Sequence, residues 1–470
     1  MSQLFISAAH KSSGKTTLSI GLCAAFRHRG LSVQPFKKGP DYIDPMWLSR
    51  AAGNDCFNLD FHTQSHDEIL TTFGQHQHGA DISIIEGNKG LYDGLDLDGS
   101  NSNAALATLL KSPVILVIDA QGMTRGIAPL ILGYQAFEPD INIAGVILNQ
   151  LGGSRHESKL RAVIEHYTNV PVIGAVHRDP ELNIQERHLG LIPSNEAQAV
   201  EAQIDAMAKR VAEQVDLDRL QAIASTSATP DFQAPASTAL PTTDLRIGIA
   251  QDAAFGFYYA DDLLAFRKAG ADLINIDTLH DDRLPAIDGL FIGGGFPETQ
   301  MQALEANAPL RKAIHEAIEA GLPVYAECGG LMYLSRSLRW KDAHSQMVGA
   351  LEMDIEMHPR PQGRGYVKLD ETDHSLWGKA ASTRNSITDK AAHGQSIINA
   401  HEFHYSAPVP QTLAKDTPFA YRVLRGHGVD GQSDGIVYRN VLANYSHMRN
   451  VKANPWVERF VAFVRSQRKP

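Results

Sequence analysis

Leu4-Phe5-Ile6-Ser7-Ala8-Ala9-His10-Lys11-Ser12-Ser13-Gly14-Lys15-Thr16-Thr17-Leu18 is the stretch whose reading decides the fold. Residues 4–6 form a short apolar run that predicts a strand, and residues 18–26 carry apolar side chains at helical spacing. Between them lies a loop of small and polar residues closing on Gly14-Lys15-Thr16. Strand, small-residue loop, Gly-Lys-Thr, helix is an arrangement that cradles phosphates. Backbone N–H groups across Ser13, Gly14, Lys15, Thr16 and Thr17 face the anion at a helix N-terminus, Lys15 adds a point charge, and the Thr16 hydroxyl can hold Mg²⁺. The usual first glycine of the pattern is Ala9, and Lys11 is not at the spacing of the extra lysine of partitioning-type ATPases. A Gly-Lys-Thr triplet alone arises by chance; the flanking strand and helix are what make it a nucleotide site.

Composition sets the frame around this loop. A chain of 470 residues has material for more than one core, and 43% hydrophobic with 20% charged residues is ordinary for a soluble globular protein. The formal net charge of -10 argues against broad binding to nucleic acid or an anionic membrane. Cys23, Cys56 and Cys328 are too few and scattered for a disulfide framework or a cysteine zinc site, which points to a reducing cytoplasm. No secretory leader and no apolar run of membrane-spanning length is expected. His76 and His78 read as part of a solvated loop, with a metal site as the lesser alternative.

The first third alternates strand and helix signals, the pattern of a parallel sheet with crossover helices. Residues 31–36 predict a second strand running into Lys37-Lys38-Gly39-Pro40-Asp41-Tyr42-Ile43-Asp44-Pro45, held as a loop by its prolines and glycine. That loop is either a solvated turn or a place where carboxylates hold Mg²⁺ and lysines meet anions. Its position after the carboxyl end of a strand favours the second. Residues 81–87 predict a strand tipped by Glu86, the usual second holder of magnesium beside a phosphate loop, followed by Asn88-Lys89-Gly90-Leu91-Tyr92-Asp93-Gly94. Residues 114–119, 143–149 and 170–176 predict further strands, and Asn149 either touches a base or caps a turn. A helical stretch is expected over residues 194–224.

Residues 225–244, rich in Ser, Thr, Ala and Pro, read as a linker. A second α/β pattern follows. A strand runs into Gly293-Gly294-Gly295, and residues 322–334 predict a strand, a sharp turn bearing Cys328, and a helix. A lone cysteine after a buried strand is more often core. Here Gly329 and Gly330 relieve crowding, and the helix N-terminus is expected to lower the thiol pKa and supply oxyanion donors. The last third reads as mainly β. His401-Glu402-Phe403-His404 lacks zinc-protease spacing and reads as local structure or substrate contact.

These motifs, in this order over nearly the whole chain, resemble the cobyrinic acid a,c-diamide synthase family. The residues that carry the likeness are the phosphate loop, Gly39-Pro40-Asp41-Tyr42-Ile43-Asp44, Glu86-Gly87, Gly90-Leu91-Tyr92-Asp93-Gly94, Gly293-Gly294-Gly295, Glu327-Cys328-Gly329-Gly330, His401-Glu402-Phe403-His404-Tyr405-Ser406 and Asn444-Tyr445-Ser446-His447. The resemblance implies an α/β chain of two domains. Residues 1–224 look like a dethiobiotin-synthetase type of phosphate-loop domain that activates a carboxylate with ATP and Mg²⁺. Residues 245–470 look like a class I glutamine amidotransferase. It also implies roles. Thr16, Asp41 and Glu86 hold magnesium; Tyr42, Ile43, Asp44 and Asp93 lie near a tetrapyrrole polycarboxylate. Cys328 attacks L-glutamine, His447 shuttles protons, and Gly294, Gly295 and Gly329 stabilise the oxyanion. No nucleic acid and no membrane is implied, and a homo-oligomer is compatible.

Two departures stand out. The acid that a class I triad carries two residues after its histidine is replaced by Arg449, and position 43 is Ile in a motif where Leu is as common. Three alternatives stay open: amidation of a sirohaem- or sirohydrochlorin-type tetrapyrrole, a nucleotide-switched ATPase that forms no amide, and a tetrapyrrole-binding module with a relict glutaminase half.

Overall fold

Leu4, Phe5 and Ile6 are fully buried in β1 (Gln3–Ala8), the strand on which the first sheet is built. The computed structural model describes residues 2–179, 186–187, 190–195, 200–228, 230, 241–378 and 397–468. It divides into two compact units, Met1–Ala236 and Ser237–Pro470.

In the first unit β1 is followed by α1 (Lys15–His28), β2 (Val33–Lys38), α2 (Ile43–Ala52), β3 (Phe57–Leu59), α3 (His66–Gln77) and β4 (Ile82–Gly90). Next come α4 (Asn103–Leu109), β5 (Val114–Asp119), α5 (Ile127–Phe137), β6 (Ile143–Leu151), α6 (Ser154–Tyr167) and β7 (Val172–His177). The short pair β8 (Glu186–Arg187) and β9 (Gly190–Leu191) precedes α7 (Val200–Gln214) and α8 (Leu217–Ala224). Seven strands form one sheet in the order β3-β2-β4-β1-β5-β6-β7, and every neighbouring pair is parallel. The near-continuous apolar runs of β5 and β6 follow from burial on both faces. Gly21 lets α1 and α7 approach closely: a methyl there would lie 2.6 Å from Val211 Cγ2 and 3.0 Å from the Met207 carbonyl oxygen.

Several boundaries differ from the sequence expectation. Lys37 and Lys38 belong to β2, and α2 begins at Ile43 with Pro45 in its first turn, where proline is tolerated. His76 is helical in α3, stacked 3.4 Å from the Phe57 ring; Ser65 and Glu68 start that helix with a capping box. The expected helix over 194–224 is two helices, broken where Asp216 caps α8; residues 196–199 lie outside the described residues. So do residue 229 and residues 231–240 of the expected linker.

The second unit opens with β10 (Leu245–Ala250), β11 (Phe255–Phe257), α9 (Ala260–Lys268), β12 (Ala271–Ile276), β13 (Gly289–Ile292), β14 (Gly294–Gly295), α10 (Met301–Ala306) and α11 (Ala308–Glu319). Then follow β15 (Val324–Glu327), α12 (Gly329–Leu334), β16 (Ser335–Trp340), β17 (Ala343–Gln346), β18 (Leu351–Met357), β19 (Gly363–Glu371) and β20 (Ile397–His404). The last elements are β21 (Ser406–Pro408), β22 (Phe419–Arg425), β23 (Ser433–Tyr438), β24 (Val441–Asn444) and α13 (Trp456–Gln467), a closing helix that the mainly-β reading of the last third did not include. Nine strands run β12-β10-β13-β15-β24-β23-β22-β19-β20, parallel as far as β24 and antiparallel beyond it. Successive β15 side chains face opposite cores: Val324 and Ala326 pack with α10, α11 and α12, and Tyr325 packs with α9 and α13.

Candidate active sites

The phosphate loop leaves the carboxyl end of β1 and enters α1 through Gly14, whose φ of 82° is left-handed. Asn149, on β6, donates from Nδ2 to the Ser13 carbonyl at 2.9 Å, and a methyl on Gly14 would collide with that amide. Asn149 therefore buttresses the loop backbone. The Ser13 hydroxyl donates to the His10 carbonyl at 2.8 Å, and the Tyr134 hydroxyl to that of Ala9. Lys15 Nζ donates to the Asn88 carbonyl at 2.9 Å. Burial and the neighbouring Lys37 lower the Lys15 pKa, which an arriving phosphate would reverse.

The parallel register sets Glu86 of β4 beside both Ile6 of β1 and Lys37 of β2. Four side chains converge there. Thr16 Oγ1 donates to Glu86 Oε1 at 2.8 Å and to Asp44 Oδ2 at 3.3 Å. Lys37 Nζ lies 2.5 Å from Asp44 Oδ2 and 2.9 Å from Glu86 Oε1, with Asp41 Oδ2 further off at 3.8 Å. Burial works against the Lys37 charge, and Asp44 and Glu86 more than offset it, so its pKa stands well above normal. Burial likewise opposes ionisation of Asp44, yet Lys37 and the Thr16 hydroxyl hold its carboxyl below the usual range. Removing one partner of such a buried pair costs about 3–5 kcal/mol, because the other charge stays behind unpaired.

Asp41 is used differently: its Oδ1 accepts from the backbone N–H groups of Ile43 at 3.0 Å and Asp44 at 3.1 Å, starting α2. Tyr42 is buried, Ile43 packs on the first core, and Asp93 Oδ2 accepts from Gly90 N at 2.9 Å to close its own turn. The oxygens of Thr16, Asp44 and Glu86 suit a hard divalent cation that keeps water and phosphate among its ligands, and the buried Glu86 Oε2 has no partner. Among the described residues no group of three His, Cys, Asp or Glu side chains could hold a metal by itself.

In the second unit Cys328 sits at the turn between β15 and α12 with φ 48° and ψ -100°, a conformation that costs a side-chain-bearing residue about 1–3 kcal/mol. Its N–H donates to the Asn444 carbonyl at 2.7 Å. A methyl on Gly330 would run into the Ile292 carbonyl, and one on Gly329 would lie 3.0 Å from Gly295 N. Of the three expected oxyanion glycines, Gly295 and Gly329 are thus brought together at the elbow. The Gly293 N–H is already donated to the Tyr258 hydroxyl at 3.1 Å. Burial, with Glu298 and Glu327 nearby, pushes the Cys328 thiol up, against the weaker opposite pull of the Gly329 N–H. This direction is opposite to the lowering expected from the helix terminus; α12 is only six residues long. We expect Cys328→Gly to be more stable than Cys328→Ala by about 1 kcal/mol in denaturant unfolding: both lack sulfur, and glycine alone relieves the backbone.

His447 follows β24, whose Asn444 pairs with Glu327 of β15. Asp434 accepts from the N–H groups of Tyr445 and Ser446, each at 2.9 Å, fixing the turn that presents His447. The His447 N–H donates to the His401 carbonyl at 2.7 Å, and the two imidazoles stack with centroids 4.9 Å apart. A methyl on Gly294 would lie 2.6 Å from His447 Cε1. Arg449, where a class I triad carries its acid, is buried and paired with Asp261 at 2.6 Å. Glu327 Oε2 is 3.4 Å from His447 Nδ1.

Two family models match. Residues 5–192 match the CobQ/CobB/MinD/ParA nucleotide binding domain, and residues 246–455 match the CobB/CobQ-like glutamine amidotransferase domain. A protein of Magnetococcus marinus named cobyrinate a,c-diamide synthase is 44% identical over 99% of this chain and 97% of its own length. Proteins of the same name from Methanosarcina acetivorans and Archaeoglobus fulgidus are each 39% identical. They cover 96% and 95% of this chain and 92% and 94% of their own lengths. This chain belongs to the cobyrinate a,c-diamide synthase family.

Within the frame of the cobyrinate a,c-diamide synthase family, two residues of the sites stand out that the motifs did not single out for these places. Lys37 was legible only as half of a lysine pair, yet it is buried between Glu86 and Asp44. Glu327 was legible only as part of the cysteine motif; the Arg449 that replaces the triad acid signalled that something else orients His447. His401-Glu402-Phe403-His404 forms β20, where Glu402 accepts from the N–H groups of His427 and Gly428 and the His404 ring stacks on Tyr445. Among the described residues no helix is long and apolar enough to cross a membrane.

Proposed function

We propose that this chain amidates the a and c side-chain carboxylates of cobyrinic or hydrogenobyrinic acid with ammonia drawn from L-glutamine, at the expense of ATP. The observation that carries the reading is that one chain of the relatives' length holds both a phosphate loop, with Thr16, Asp44 and Glu86 converging, and a strained cysteine elbow whose strand pairs with the one leading to His447.

A carboxylate does not exchange oxide for ammonia at neutral pH. When a carboxylate oxygen attacks the γ-phosphorus of ATP, ADP leaves and an acyl phosphate forms; ammonia then displaces phosphate. Lys15 would meet the charge that develops on the transferred group, and Thr16 and Glu86 would hold Mg²⁺, which would supply further positive charge there. Asp41, the third magnesium candidate of the sequence, would act through the start of α2. Tyr42, Ile43, Asp44 and Asp93 remain on the edge assigned to the tetrapyrrole. At the other site the Cys328 thiol passes its proton to His447 as sulfur attacks the glutamine amide. The N–H groups around Gly294, Gly295 and Gly329 meet the oxyanion, ammonia leaves with the proton, and water releases glutamate. We assign the ATP-dependent step to residues 1–224, the connection to 225–244 and the glutaminase step to 245–470, in a cytoplasmic enzyme.

The test offers cobyrinic acid, hydrogenobyrinic acid, sirohaem and sirohydrochlorin separately, with MgATP and glutamine. Mass spectrometry should show two replacements of OH by NH₂ on one of the first two. Amidation of only a sirohaem-type substrate would move the chain to that branch, and full-rate ATP hydrolysis with no amide on any of them would sink the reading.

A further inference from the structure

We propose that Glu327, the residue immediately before the nucleophile, is the carboxylate that orients His447 in the glutaminase centre. The inference rests on the reading of Cys328 and His447 as the glutamine-hydrolysing pair. Glu327 Oε2 and His447 Nδ1 approach to 3.4 Å, with side chains 3% and 4% exposed. The other carboxylate oxygen is committed: Oε1 accepts from the Tyr325 hydroxyl at 2.6 Å and from the Met448 N–H at 2.8 Å. That second bond comes from the residue after His447, so a single carboxylate holds the backbone that carries the imidazole and faces its Nδ1 at ion-pair distance, without a hydrogen bond to it in this conformation. Tyr325 is itself immobilised against Phe291, in a stack with centroids 5.3 Å apart, and against Trp456 at 4.7 Å.

The other acids near His447 are occupied elsewhere. Asp434 is spent on the Tyr445 and Ser446 N–H groups, Asp262 on the Asn450 N–H and the Trp456 indole, and Asp261 on Arg449. A carboxylate facing Nδ1 selects the Nδ1–H tautomer, which leaves the Nε2 lone pair free to take the thiol proton, and it stabilises the imidazolium that results. Strand pairing explains how a neighbour in sequence to the cysteine reaches the histidine: Glu327 lies opposite Asn444, three residues before His447.

Glu327→Gln keeps the volume and removes the charge. Glutamine hydrolysis should fall in kcat by about 10²–10⁴-fold with KM within about twofold of wild type, the split expected when only the transition state loses a contact. An active wild type with a variant kcat within about threefold of it overturns this inference alone. A wild type that releases no ammonia from glutamine overturns the glutaminase reading, and this inference with it. A second measurement needs no folded variant at position 327: the ¹⁵N spectrum of the wild-type imidazoles, with His447 assigned by its loss in His447→Gln. The Nδ1–H tautomer is expected; the Nε2–H tautomer in the resting enzyme overturns the assignment.

Discussion

Cys328→Ala is expected to abolish amidation from glutamine, by at least about 10³-fold, while amidation from added ammonium continues within about threefold of wild type. The sulfur is the nucleophile proposed at the elbow, where burial and the nearby Glu298 push its thiol pKa up. Alanine keeps the side chain short and the turn in place, which confines the loss to the chemistry. In the proposed scheme free ammonia bypasses the glutaminase step and meets the acyl phosphate directly. The measurement is paired: amide by mass spectrometry with glutamine as donor, then with ammonium at a pH where unprotonated ammonia is abundant. Survival of both activities would show that another residue hydrolyses glutamine. Loss of both, in a variant that still unfolds cooperatively, would show that the two steps are not chemically separable.

Lys15→Met is expected to do the converse. Amidation should fall by roughly 10³-fold or more with either nitrogen source, because in the proposed scheme the lost cation would face the group being transferred in both cases. Lys15 is nine-tenths buried, and its Nζ now rests on the Asn88 carbonyl, a neutral acceptor that phosphate oxygens would replace. Methionine fills the same channel without charge, so the fold should hold. Cys328 should still react with a glutamine-like diazoketone at close to the wild-type rate. ADP release, amide formation and cysteine labelling, measured on one preparation, separate the effects. A variant that forms ADP at the wild-type rate would remove Lys15 from the transfer step.

The two results divide the molecule along a line that the sequence already drew. The phosphate loop and the cysteine elbow were legible because each is a short run of backbone-determined chemistry: glycines where the chain must turn left-handed or approach another strand, flanked by apolar runs. Gly330 was read that way, as relief of crowding at a sharp turn, whereas Gly14 was legible only as part of the phosphate loop. What escaped was set by tertiary pairing. Lys37 and Lys38 look like solvent-seeking residues after a strand, yet both are buried within it, and Lys37 is tolerated only because Asp44 and Glu86 arrive from α2 and β4. The local pattern carries no trace of those partners. The same holds for the thiol: a helix N-terminus is readable from sequence, whereas the burial and nearby acids that outweigh it are not. Asn149 was legible as a polar tip on an apolar strand, but its target, the Ser13 carbonyl, depends on which strands are neighbours.

The pairing of β15 with β24 also has a bearing on how the protein is made. Cys328 leaves the ribosome well before β24, which carries Asn444, and before His447 beyond it, so the proposed nucleophile is made before its proposed base. Contacts between residues so far apart in sequence form late, since the intervening loop must close first. On the proposed roles, the glutaminase pair is complete only once the C-terminal part of the chain is synthesised and docked. A chain cut short before residue 441 would keep its cysteine and lack both β24 and the proposed base His447.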